Sequence, residues 1–178
     1  GRQQRIRRVY NRIIPDELIR TGRTLPFDYR DDLDVEWGGH PAWYFRVSKI
    51  SIPRLSHASV PRTWFLHEVD ALPLERERLL LKPLFSFAGG GIIFAPTDAD
   101  LAAIPVAERR GYILQERIDF TPVIVTPDGA TQAEIRVMYV WSDGPRATFP
   151  LVRMGRGKMM GVDHNKGLRW VGASAAFI

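Results

Sequence analysis

Four short apolar segments follow one another between Gly111 and Met154: GYILQERI, TPVIVTP, AEIRVMYVW and ATFPLVRM. The last three are separated by PDG and SDG. Asp-Gly supplies the positive φ of a tight reversal, so strands joined through it run antiparallel. This succession constrains the fold most, because parallel strands would need long crossovers that the spacing does not leave room for. KMMGVDH predicts a further strand. Upstream, VPRTWFL, LERERLLLKPL and GGIIFAP predict strands, and TDADLAAIPVAERR predicts a helix with Thr97 as its N-cap. HPAWYFRVSKISIPRLSHA predicts a helical stretch broken at Pro53. The pattern is α+β and mainly antiparallel.

The leading segment differs in character. In RIRRVYNRIIPDELIR the apolar positions Ile6, Val9, Tyr10, Ile13 and Ile14 follow helical spacing, which predicts a helix to about Ile14. Pro15 interrupts it and can open a second, shorter one. Residues 1–30 carry eight arginines against Asp16, Glu17 and Asp28, which accounts for the whole net charge of +5. The remaining residues hold 17 basic and 17 acidic groups and are neutral. A basic arm could bind nucleic acid or an acidic neighbour; the solvated face of an amphipathic helix is the plainer reading. The neutral body argues against nucleic acid. We therefore expect a basic helical leading segment and linker over 1–40, then one domain over 41–178.

Hydrophobic residues make up 45% of the 178 and charged residues 25%, a globular balance with enough chain for a core. There is no cysteine, which excludes disulfides and thiolate metal sites and suits a reducing, cytoplasmic compartment. No apolar run approaches the roughly 20 residues of a membrane-spanning helix, so no membrane partner is expected. Glycine at position 1 and the apolar end AAFI suggest a piece of a longer protein.

LLLKPLFSFAGGGIIF, residues 79–94, poses the chemical question. Lys82 ends an apolar run, and Gly89, Gly90 and Gly91 open the next. Bare backbone N–H groups could close over phosphates while Lys82 neutralises them and Ser86 offers a hydroxyl. The lysine precedes the glycines and no Gly-Lys-Ser/Thr follows, so this is not a Walker loop. A glycine-rich hairpin with a snorkelling lysine is the structural alternative.

In order and spacing these segments resemble the ATP-grasp superfamily of ATP-dependent ligases, over about Pro41 to Gly167. SKISIPRLSHASVPRTWFL resembles the opening helix and strand, in which a lysine, here Lys49, precedes a Val-Pro-x-Thr. LLLKPLFSFAGGGIIF resembles the lysine strand and triphosphate flap, YILQERI the strand against which adenine lies, and AEIRVMYVW the acidic-x-Arg strand. MMGVDHN resembles the final metal strand, with Asp163 where the family usually has Glu. The resemblance implies two α+β lobes, a small one over about 41–96 and a large one over 97–178, sandwiching ATP. It implies Mg²⁺-dependent activation of a carboxylate as an acylphosphate for attack by an amine or thiol, with the substrate site completed by a preceding domain. A non-catalytic nucleotide-binding module, or a basic-arm nucleic-acid binder, is the alternative from another class.

Residue by residue, the adenine strand offers Gln115 and Glu116, one facing each way, and backbone groups at Glu116 to Ile118. Glu116 or Asp119 could hold ribose hydroxyls. Glu134, Asp163 and Asn165 are the expected Mg²⁺ ligands, since Mg²⁺ takes hard oxygens and keeps waters and phosphates. On a strand, Asp163 and Asn165 would share a face and His164 would point away; a turn is the other reading of DHN. Glu134 could instead pair with Arg136. Arg136, Arg153 and Lys158 could stabilise a transferring phosphoryl group, or line a solvated hairpin.

Overall fold

The computed structural model describes residues 4–86 and 89–177; Phe87 and Ala88 of the expected flap, and Ile178 of the AAFI end, lie outside it. The chain divides into two compact units, Gly1–Arg117 and Ile118–Ile178. In the first, β1 (Arg8–Val9) runs parallel to β2 (Glu36–Trp37), and α1 spans Pro15–Thr21. The helix expected up to Ile14 does not form. Asn11 is buried and donates to the Pro41 carbonyl at 2.8 Å, a bond 30 residues along the chain, while accepting from Ile13 N at 3.0 Å, a local bond that competes with a helix. Arg5 and Arg8 reach across to Asp34 and Glu36, which relieves their mutual repulsion in the extended form. The helix begins instead at Pro15, whose ring sets φ, and ends at Gly22 in the left-handed conformation at φ 62°.

After α2 (Trp43–Arg46) and a 3₁₀ segment at Lys49–Arg54, the main sheet begins. Its strands are β3 (Thr63–Phe65), β4 (Leu79–Pro83), β5 (Ile93–Phe94) and β6 (Tyr112–Glu116), in the order β3-β6-β4-β5 and antiparallel throughout. Between β5 and β6, α3 (Asp98–Ala102) starts at Thr97 with the expected cap, completed by Asp100 into a capping box. Since β6 lies between β3 and β4, residues 97–117 belong with the first unit, not with the second lobe where the sequence reading put them.

Alternation along the strands gives the sheet two faces. Leu79, Leu81 and Leu114 pack with Leu66 and Ile104 on one. Phe65, Leu84 and Ile113 form a smaller cluster on the other. The strand period of two puts Thr63, Lys82 and Gln115 on that second face, beside the smaller cluster. The main core thus leaves a polar strip on the sheet's other side.

The second unit is a meander of β7 (Ile124–Thr126), β8 (Gly129–Trp141), β9 (Pro145–Gly155) and β10 (Gly172–Ala175), each antiparallel to the next. The two expected Asp-Gly turns join its first three strands. The strand expected from KMMGVDH is absent; Val162–Asn165 form one helical turn, α4. No helix among the described residues is long and apolar enough to cross a membrane.

Candidate functional site

Lys82, one residue short of the end of β4, turns its ammonium onto Gln115 Oε1, diagonally across the β4–β6 pair. Gln115 is only 6% exposed and donates its amide to Thr63 Oγ1 at 2.9 Å, and Thr63 donates to the Pro61 carbonyl at 2.9 Å. Lys49 comes from the 3₁₀ segment after α2. Its ammonium donates to Leu84 O and Ser86 O, each at 3.2 Å, and to Ser86 Oγ at 3.0 Å. Burial lowers the pKa of both lysines; Lys49 lowers that of Lys82 further, while Asp16 partly offsets the effect on Lys49. Both ammonium groups are half-buried; Lys82 has a neutral carboxamide as partner, whereas Lys49 already donates to Leu84 O, Ser86 O and Ser86 Oγ.

Two aromatic rings gather around Phe85. Phe85 stacks edge-on against Phe45 with centroids 5.1 Å apart, and Tyr44 lies 6.3 Å from Phe85. Tyr44 donates its hydroxyl to Asp16, which raises the Tyr44 pKa after burial has already done so. The leading segment is therefore part of the first unit through Asp16, not a separate arm. Beyond Ser86, Gly89 and Gly91 take φ of 81° and 70°, angles that side chains disfavour. A Cβ on Gly91 would also stand 2.8 Å from Pro83 Cγ. Glycine at 91 is thus required by the hairpin itself, whatever it does for a ligand.

The strand expected to hold adenine is committed in part. Glu116 N donates to Arg62 O at 2.9 Å and Arg117 N to Arg78 O at 2.7 Å. The Glu116 side chain lies 3.9 Å from Arg62 Nη1. Ile118 and Asp119 are exposed and lie beyond the boundary at Arg117, in the second unit.

Within the second unit, Glu134 accepts from Arg136 Nε and lies 3.7 Å from Arg153 Nη1. The salt bridge of Glu134 with Arg136 weighed from sequence as cross-strand runs along β8 instead, and the cross-strand partner is Arg153 on β9. Arg153 also donates to the Met160 carbonyl. Asn165 accepts from Arg156 N and Gly157 N and donates to Met159 O and Gly161 O, all at 2.9 Å. Asp163 is exposed. The same-face argument for Asp163 and Asn165 falls with the strand it assumed. Asn165 has no lone pair left to aim at an ion, so the three residues do not fit one Mg²⁺ ligand set. Among the described residues no group of three or more His, Cys, Asp or Glu could hold a metal.

Comparison with known proteins yields little. No family model and no curated protein matches the sequence. Among solved structures, a glutathione synthetase-like effector from Globodera pallida, in apo form, is similar at 11% identity and a TM-score of 0.34. The alignment covers 79% of this chain and 33% of that one, so the chain spans about a third of that protein's length. This is a weak likeness at the level of fold.

Of the residues singled out from sequence, the structure brings together Lys49, Lys82, Ser86 and Gln115. Thr63 and Asp16 were missed. Thr63 stood within the quoted VPRT, and its place opposite Gln115 follows once the two strands are paired.

Proposed function

We propose that the first unit binds ATP through Lys49 and Lys82, as the nucleotide-binding part of a ligase that activates a carboxylate as an acylphosphate. The observation that carries this is Lys82, a half-buried ammonium group with a carboxamide and not a carboxylate as its partner. Folding a chain around two cations costs stability, and a polyphosphate offsets that cost with charge-assisted bonds. The resemblance in motif order supplies the nucleotide and the reaction class. A carboxylate oxygen attacks the γ-phosphorus, ADP leaves, and an amine or thiol then displaces phosphate from the acyl carbon. Arg136 and Arg153, which the resemblance implied as phosphoryl-facing groups, belong to the second unit, where Glu134 contacts both guanidinium groups. Mg²⁺ would arrive on the nucleotide phosphates, and no step is assigned to a protein-held ion. A preceding domain of the same protein would supply the carboxylate site.

The test is to incubate the full-length protein, which would include the carboxylate site, with ATP, Mg²⁺ and hydroxylamine across a panel of amino acids and dicarboxylates. Hydroxamate formed with one of them, together with matching ADP, supports acylphosphate chemistry. ATP binding with no hydroxamate from any of them selects the second reading, a non-catalytic nucleotide-binding module.

A further inference from the structure

Asn165 stands where the resemblance implies a metal ligand, yet its carboxamide is fully engaged. Oδ1 takes the amides of Arg156 and Gly157, and Nδ2 serves the carbonyls of Met159 and Gly161, all at 2.9 Å. One carboxamide offers two donors and two lone pairs, and all four are used. Two glycines make room for this arrangement. A Cβ on Gly155 would lie 2.7 Å from Asn165 Oδ1, and one on Gly157 would collide with the His164 carbonyl.

Hydrophobic burial does not impose the loop's shape. Between Arg156 and Asn165 only Met160 is buried, and Val162 is 77% exposed. The Arg156 guanidinium anchors one end to Thr126, Thr131 and the Arg169 carbonyl, and the four bonds of Asn165 tie the two ends of the loop together. Those bonds fix the carbonyls on either side of Met160, and the Met160 carbonyl is the one that receives Arg153. Arg153 in turn lies against Glu134. We propose that Asn165 is a positioning residue and not a metal ligand: it closes residues 156–165 into a loop whose Met160 carbonyl holds the Arg153 guanidinium against β8. The inference concerns the second unit alone. The loop's closure stands without the ligase reading, and the tests below need no nucleotide.

Hydrogen exchange on the unaltered chain should show the Arg156 and Gly157 amides protected by about tenfold or more over the unfolded rate. Asn165→Ala and Asn165→Asp should speed tryptic cleavage after Arg153, Arg156 and Lys158 by about tenfold or more, because the loop opens locally. Asn165→Asp sets carboxylate oxygens against two carbonyls, so Mg²⁺ should raise its melting temperature no more than it raises the parent's. Unprotected amides at 156 and 157 would overturn the proposal, even if neither variant folds. So would unchanged cleavage in both variants, or a larger Mg²⁺ stabilisation of Asn165→Asp than of the parent, the sign of a metal ligand.

Discussion

Lys82 carries the most chemistry of any single residue. Lys82→Ala should weaken ATP binding by about 1–3 kcal/mol, the size of a charge-assisted contact. The same change leaves the buried Gln115 Oε1 without its donor, so stability should fall by roughly 1 kcal/mol or more. Calorimetry and urea unfolding read the two effects separately; ATP affinity equal to the parent's would make Lys82 a structural lysine. The lowered pKa values give a pH signature with opposite signs. The folded chain holds fewer protons than the unfolded chain between the lowered lysine values and the ordinary value of about 10.4. Stability without ligand should therefore rise as pH climbs through that window, as judged by urea midpoints. ATP affinity should fall over the same range, because phosphates favour the charged lysines. The sequence disclosed Lys82, Ser86 and the glycines because they are neighbours along the chain. It could not disclose Thr63 beside Gln115, or Asp16 beside Tyr44, because those pairs are 52 and 28 residues apart and meet only when β3 pairs with β6 and when α1 meets α2.

Local rules decided which elements were legible. Thr97 was readable as a cap because its bonding is complete within three residues. Thr97→Ala should cost about 1 kcal/mol in urea unfolding, and a loss near zero would mean that Asp100 caps the helix alone. Gly91→Ala should cost about 1–2 kcal/mol, since a Cβ meets both a positive φ and the Pro83 ring. An unchanged unfolding midpoint in that variant would contradict the hairpin geometry described for the flap. The strands between the Asp-Gly turns were legible because turn chemistry and alternation agree. The leading helix was misread because Asn11 bonds to a loop some 30 residues away and overrides the apolar spacing. The strand expected from KMMGVDH was misread because Asn165 and the glycines at 155 and 157 fold that segment back on itself.

For the whole molecule, charge looks different once strand pairing is known. Residues 1–36 hold eight arginines and seven acids, a net of +1, and Arg5 and Arg8 pair with two of those acids. The chain's net +5 is unchanged by where the count ends, since residues 37–178 then hold 17 basic and 13 acidic groups. Because the strand-borne arginines Arg5 and Arg8 are paired, we expect no saturable binding of duplex DNA at physiological salt by fluorescence anisotropy; tight binding that collapses with added salt would restore the nucleic-acid reading. The antiparallel α+β class was legible from the sequence, whereas the division at Arg117 was not, because it depends on β6 inserting between β3 and β4. The central claim is that Lys49 and Lys82 form a polyphosphate site in the first unit. Calorimetric titration of ATP into the parent, Lys49→Ala and Lys82→Ala chains tests it most directly. The account predicts saturable binding to the parent, weakened about tenfold or more in each variant. No binding to a folded parent, or equal affinity in all three, would contradict it.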